Sequence, residues 1–322
     1  MKSRLVKLMS VAIAALSILV AGSRLDFSSG PPPAHSSLRP SLASYLGVYE
    51  AGAPPSYQPV ATFATAAGRR PNLVGYFSGW AEPFNTGFAN LLHSHGIIPF
   101  VQIDPTDASV AAIADGTYDG YLTSYADAVR DFRYSVVIGF GHEMNAPWYS
   151  WGFGNVAPTT FIAAWQHIVK LFRQQGADNV TWLWTVQAVG RGAVPIAPWW
   201  PGAQYVTWVG IDGFYYSPAD TFTSVFGSTI DQVRSLTVKP ILLSETAVGP
   251  AAGQFHKIQD LFRGMATSQT LGLVWFDISQ HGGLYAQDWR IEDSDLAEYS
   301  FRLAVQEDLA RGPVVSSSGK GG

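Results

Sequence analysis

The sequence predicts a (β/α)8 barrel in a single domain. Three observations predict it. Eight short runs rich in Val, Ile, Leu and aromatics recur along the chain, and most stay apolar at consecutive positions, as strands covered on both faces do. Segments with helical spacing of apolar residues lie between them. The stretch that carries these elements, residues 42–311, has the length of such a barrel, typically ~250 residues. A doubly wound open sheet is the alternative, and the count of eight disfavours it. No internal repeat and no second domain is visible.

The strand runs begin near Tyr45, Leu73, Gly96, Ser135, Asn179, Tyr205, Lys239 and Leu271. The first is SYLGVYEAG, and LVGYFSGW and GIIPFVQID follow. GYLTSYADAVRDF then has apolar residues at helix spacing and leads into SVVIGFGHE. TFIAAWQHIVKLFRQQG is the next helical segment, stopped at Gly176, and NVTWLWTVQ is the fifth strand run. The connector after it, RGAVPIAPWWPGAQ, is irregular. YVTWVGIDGFYY, KPILLSETAVG and LGLVWFDIS complete the set, separated by the helical FTSVFGSTIDQVRSL and FHKIQDLFRGMAT. SDLAEYSFRLAVQEDLA closes the chain after a Ser/Asp cap.

The composition excludes several classes. Of 322 residues, 47% are hydrophobic and 14% charged, so the chain is globular rather than disordered. The net charge of −4, with no run of either sign, recruits neither nucleic acid nor an anionic membrane surface. Without cysteine there are no disulfides, thiolate nucleophiles or cysteine metal sites. At the N-terminus Lys2, Arg4 and Lys7 precede an apolar run from Leu8 to Val20, which reads as a secretory signal over residues 1–27. Left uncleaved, the same segment would tether the protein to a membrane. Residues 28–41, SSGPPPAHSSLRPS, read as a linker, and residues 312–322 as a disordered tail. We expect a monomer.

In a barrel of this kind the site lies at the C-terminal ends of the strands. The runs end there with Glu50, Trp80, Asp104, His142-Glu143, Gln187, Asp212 with Tyr215, Glu245, and Trp275 with Asp277. Glu143 and Glu245 stand out, on the fourth and seventh runs. Within their runs Glu143 shares parity with Gly139 and Gly141, and Glu245 with Ile241 and Leu243. Either alone is more often a satisfied rim residue. Two together can divide the breaking of a glycosidic bond, one protonating the leaving oxygen while the other attacks the anomeric carbon. That requires one carboxyl protonated and one ionised.

The chain resembles glycoside hydrolase family 26 in GHEMNAPWYSW and LLSET, with support from YLGVYEAG, YDGYLTSYADAV, WVGIDGF and GLVWFD. The resemblance implies Glu143 as acid/base and Glu245 as nucleophile of a retaining mechanism. It implies His142 beside the acid, Trp148 lining the subsite next to the scissile bond, and Trp275 as an aromatic platform. Three positions depart from the pattern: Ala146 replaces a common Gly, Phe214 a common Tyr, and Phe276 the Arg of some mannanases. Tyr215 takes the tyrosine's part only if its strand breaks there.

Other readings of these residues are weaker or remain open. HExxH zinc binding fails because position 146 is Ala, and no G-x-S-x-G elbow surrounds Ser244. His142 alone reads equally as a core histidine. Trp182, Trp184 and Trp208 read as core, whereas Trp148, Trp151, Trp199 and Trp200 lie in loops suited to stacking on sugars. Asp104, Asp212, Asp277, Asp288 and Arg290 either bind sugar hydroxyls or form rim salt bridges. The expected activity is retaining endo-hydrolysis of a β-mannan or β-glucan type polysaccharide outside the cell, with no cofactor or metal. The alternatives are a glycan-building or transglycosylating protein and a non-catalytic carbohydrate-binding barrel.

Overall fold

The structure is a computed structural model that describes Leu38 and residues 45–190, 192–280 and 286–311, with side chains described to Glu307. The expected signal, linker and tail lie outside the described residues, Leu38 excepted. Eight parallel strands close into a barrel in sequential order. They are β1 (Tyr45–Glu50), β2 (Leu73–Gly79), β3 (Ile98–Asp104), β4 (Val136–Phe140), β5 (Val180–Gln187), β6 (Trp208–Asp212), β7 (Ile241–Thr246) and β8 (Gly272–Asp277). Each lies on one of the eight apolar runs. β6 starts later than its run because Ala203–Tyr205 form a short 3-10 turn.

The helices are α1 (Gln58–Ala67), α2 (Thr86–Ser94), α3 (Val110–Ala114), α4 (Asp119–Phe132), α5 (Pro158–Gln174), α6 (Ser228–Leu236), α7 (Gln254–Thr267) and α8 (Asp295–Arg311). The helical segments legible in the sequence are α4 to α8, and α1, α2 and α3 add to them. α2 is set by Asn85, whose side chain accepts from Phe88 N at 3.0 Å. α5 opens on Pro158 and stops before Gly176, whose φ of 73° suits glycine. Among the described residues no helix is long and apolar enough to cross a membrane.

Two layers of core follow from strand alternation. Leu73, Phe100, Val137, Leu183, Trp208, Leu242 and Val274 fill the barrel interior, with Tyr49. The residues between them on each strand pack outward against the helices. Glycines admit large neighbours: the end of the Tyr49 ring lies where a side chain on Gly75 would go, and Gln102 Oε1 fills the space at Gly139.

β7 breaks the alternation. Gly210 pairs with Leu242 but Asp212 with Glu245, and Leu243 pairs with Leu273 but Thr246 with Trp275. One extra residue therefore sits in β7 against both neighbours, a β-bulge. Ile241 and Leu243 belong to the outer core, so unbroken parity would aim Glu245 at the helices. The bulge turns it to the barrel mouth.

Candidate active site

A cavity of about 620 Å³ opens at the mouth, and both Glu143 and Glu245 line it. Glu143 lies three residues past β4, in the turn that follows it. Its N–H donates to Thr185 O at 3.0 Å and its carbonyl accepts from Ala146 N at 2.9 Å. Its φ is +54°, a left-handed conformation costly for a side-chain-bearing residue. The surroundings enforce it. Asn145 donates to Gln187 O and Val194 O and accepts from Gln187 N, which clamps the turn to the end of β5. Trp151 Nε1 donates to His142 O at 2.8 Å.

The two carboxyls are 6% and 5% exposed. Burial pushes both above the ordinary carboxylate range, Glu245 to about 8, while His142 pulls both down. Trp148 Nε1 donates to Glu143 Oε2 at 2.6 Å. His142 Nδ1 donates to Asp104 Oδ1 at 2.8 Å, and its Nε2 meets the Tyr149 hydroxyl at 3.1 Å. Burial alone would lower the imidazole, but Asp104, Glu245 and Glu143 reverse this and lift it to about 10. An imidazolium thus stands beside two carboxyls near neutral pH. It favours one ionised carboxylate, and repulsion between the pair keeps a proton on the other.

Beneath the carboxyls lies a polar floor. Gln102 Nε2 donates to Thr185 Oγ1 at 3.0 Å, and Ser244 Oγ donates to Asp212 Oδ1 at 2.5 Å. Asp212 is fully buried, and desolvation with the charge of Glu245 raises its pKa well above the usual value.

Several residues assigned to the sugar from the sequence lie elsewhere. Asp104 faces His142, and Asp212 belongs to the floor. Asp277 is buried and accepts from Ile291 N at 2.8 Å. Trp151 is buried against Tyr149. Trp275 is 1% exposed, donates to Trp289 O and packs edge-on against Phe301 in the outer core. Tyr215 turns outward and donates to Asp260 Oδ2 at 3.1 Å, because its bridge to Val248 carries the alternation of β6 on past Asp212. Arg290 and Asp288 form a salt bridge. Trp199 is buried, and Trp200 packs on Trp184. Trp148 does line the cavity, as do Phe77, Phe214, Tyr216, Phe276 and Trp289. Alternation points to three of these: Phe77 follows Leu73 and Gly75, Phe214 follows Gly210 and Asp212, and Phe276 follows Val274. Trp289 arrives on a loop, which carries no periodic signal.

An eight-stranded barrel with a buried carboxyl pair at the mouth of an aromatic cavity is the arrangement that the sequence resemblance implied. The chain belongs to glycosyl hydrolase family 26, whose sequence profile matches residues 114–302. Endoglucanase H of Acetivibrio thermocellus is 28% identical over 272 residues, covering 79% of this chain and 29% of that protein. The β-1,3-xylanase TXYA of a Vibrio species is 24% identical over 187 residues, 53% of this chain and 37% of that protein. The chain thus spans well under half the length of these relatives. Among solved structures, Bacillus subtilis mannanase man26 superposes with a TM-score of 0.61 at 19% identity, covering 82% of this chain and 86% of that one. The catalytic domain of an endo-β-1,4-mannanase from Bacillus sp. JAMB-750 gives 0.62 at 14% identity, over 84% and 88%. These likenesses show the barrel.

Proposed function

We propose that the protein is a retaining endo-β-glycanase acting on a neutral polysaccharide. The observation that carries this reading is the presence of Glu143 and Glu245, both buried, on one cavity walled by aromatics. Flat apolar rings suit the faces of pyranoses. Among the described residues that line the cavity none is basic, so a neutral glycan fits better than a polyuronate. Endoglucanase H and the β-1,3-xylanase lend support to β-glucan and β-1,3-xylan as substrates, and the solved mannanases keep β-mannan beside them.

The chemistry is double displacement. Glu245 attacks the anomeric carbon. The glycosidic bond breaks, and its electron pair leaves with the oxygen, which takes the proton of Glu143. Water then gives a proton to Glu143 and adds to the anomeric carbon, releasing Glu245. The imidazolium of His142 favours the ionised form of Glu245 against the burial that raises it. Export is part of the proposal, supported by the basic residues ahead of the apolar run Leu8–Val20.

The test is product release from galactomannan, glucomannan, lichenan and β-1,3-xylan by wild type, Glu143→Gln and Glu245→Gln. Proton NMR should show the first product with the substrate's anomeric configuration. Cleavage of one glycan, lost in both variants with the fold intact, is the expected result. A first product of inverted configuration would overturn the double displacement.

A further inference from the structure

The floor beneath the nucleophile contains an unexplained hydroxyl. Tyr49 is fully buried in the barrel, its ring held by Phe77 at 5.0 Å, Phe100 at 5.7 Å and Phe276 at 6.1 Å between centroids. Gly75, paired with Tyr49 across β1 and β2, leaves the room that the end of the ring occupies. The hydroxyl thereby reaches the polar centre of the barrel, where it faces Gln102 and Glu245. In the structure it makes no hydrogen bond, although it is sealed from solvent. Glu245 Oε1 and Gln102 Oε1 are in the same condition. A sealed donor without an acceptor loses its bond to water and gains nothing for it, and so does a sealed acceptor without a donor. A sealed hydroxyl beside a carboxylate with a sealed, unpartnered oxygen marks a bond that a small shift closes.

Other phenols near the nucleophile are engaged. Tyr149 meets His142, Tyr215 is tied to Asp260, and Phe214 has no hydroxyl. Of the two acceptors open to Tyr49, the carboxylate is the stronger, since a hydrogen bond to an ion is about twice as strong as one between neutral groups.

We infer that the Tyr49 hydroxyl donates to Glu245 Oε1 in the working enzyme and is the positioning residue of the nucleophile. The bond fixes the plane of the carboxylate from below. With Oε1 so held, Oε2 is the oxygen presented to the anomeric carbon. Tyr49 touches no substrate; it acts through Glu245. The inference rests on the proposed role of Glu245.

The titratable groups facing Glu245 are His142 and Glu143 after β4, Asp104 on β3, Asp212 on β6, Tyr149 in the β4 loop and Tyr49 on β1. The experiment must therefore silence its partner in the pair. Full-length Glu143→Gln protein carrying glutamate labelled with carbon-13 at the side-chain carboxyl is titrated by NMR, with and without Tyr49→Phe. Glu245→Gln assigns the signal. Loss of the donor should raise the apparent pKa of Glu245 by about one to two units. In the otherwise unaltered enzyme, Tyr49→Phe should lower kcat on the order of tenfold to a hundredfold, leave KM nearly unchanged and move the acid limb of kcat/KM upward. Phe keeps the ring, so thermal midpoints should be close. An unchanged Glu245 titration overturns the inference. Failure of the wild type on every glycan would overturn the proposed function, while the titration would still decide the role of the hydroxyl.

Discussion

Trp148 donates its indole N–H to Glu143 Oε2 at 2.6 Å while 43% of its own surface remains exposed on the cavity. One side chain thus offers a face to the cavity and a hydrogen bond to the proposed proton donor. The bond favours the charged form of Glu143 and opposes the rise that burial imposes. Trp148→Phe keeps an apolar face and removes the donor. Glu143 should then hold its proton to higher pH, moving the basic limb of kcat/KM upward by about one unit. A pH–rate profile measures this; a basic limb that stays in place would show that the indole serves only to stack.

The His142–Asp104 pair should make stability fall with rising pH. Its folded imidazole titrates at about 10, against about 6.5 in the unfolded chain. The stabilisation is therefore complete below pH about 6.5 and lost as pH rises through about 10. Asp104→Asn should cost about 1.5–3 kcal/mol at pH 6 and much less above pH 10. Urea unfolding at the two pH values compares them, and an equal loss at both would refute the charged pair.

The barrel was legible because its strands are buried on both faces and read as continuous apolar runs. The carboxyl pair was legible because GHEMN and LLSET are local patterns. The lining of the cavity was legible only in part. Trp275 stands out in GLVWFD, yet alternation from Val274 aims its neighbour Phe276 at the cavity and sends the indole outward. Tyr215 keeps the outward parity of β6 through its bridge to Val248 and is tied to Asp260. Glu245 reaches the mouth only through the bulge in β7, which is a property of pairing with β6 and β8 and leaves no mark in the sequence of one strand.

Gly75 and Gly120 should respond oppositely to alanine. A Cβ on Gly75 would run into the Tyr49 ring, which Phe77, Phe100 and Phe276 prevent from yielding. The cost should be about 1–3 kcal/mol, as for overpacked cores. Gly120 lies in α4 with nothing within 4 Å of the added atom, so Gly120→Ala should stabilise by about 0.5–1 kcal/mol. Denaturant midpoints of the two variants give the comparison. Stability unchanged in Gly75→Ala would mean that the Tyr49 ring is not wedged.

Glu50, at the end of β1, should also make stability fall as pH rises, at lower pH than the His142–Asp104 pair and independently of it. Glu50 Oε1, Asp277 Oδ2 and Glu292 Oε2 are each sealed without a hydrogen-bond partner, and the nearby Arg290 forms its bonds with Asp288 at 2.8 and 2.5 Å. Among the described residues no group of three such side chains is placed to hold a metal ion. Burial, then the charge of Glu292, raises Glu50 to about 8, and Asp277 is raised well above its usual value by burial and by Glu50. For a carboxyl raised in the folded state, the contribution is complete below its unfolded value near 4.5 and is lost as pH rises through about 8. The wild type should therefore lose stability between pH 5 and 8. Glu50→Gln cannot ionise, so its unfolding free energy should be flatter over that range and exceed the wild type at pH 8 by on the order of 1–3 kcal/mol. Parallel pH profiles for the two proteins would show that Glu50 is ionised in the folded state and that its carboxylate is already satisfied where it lies.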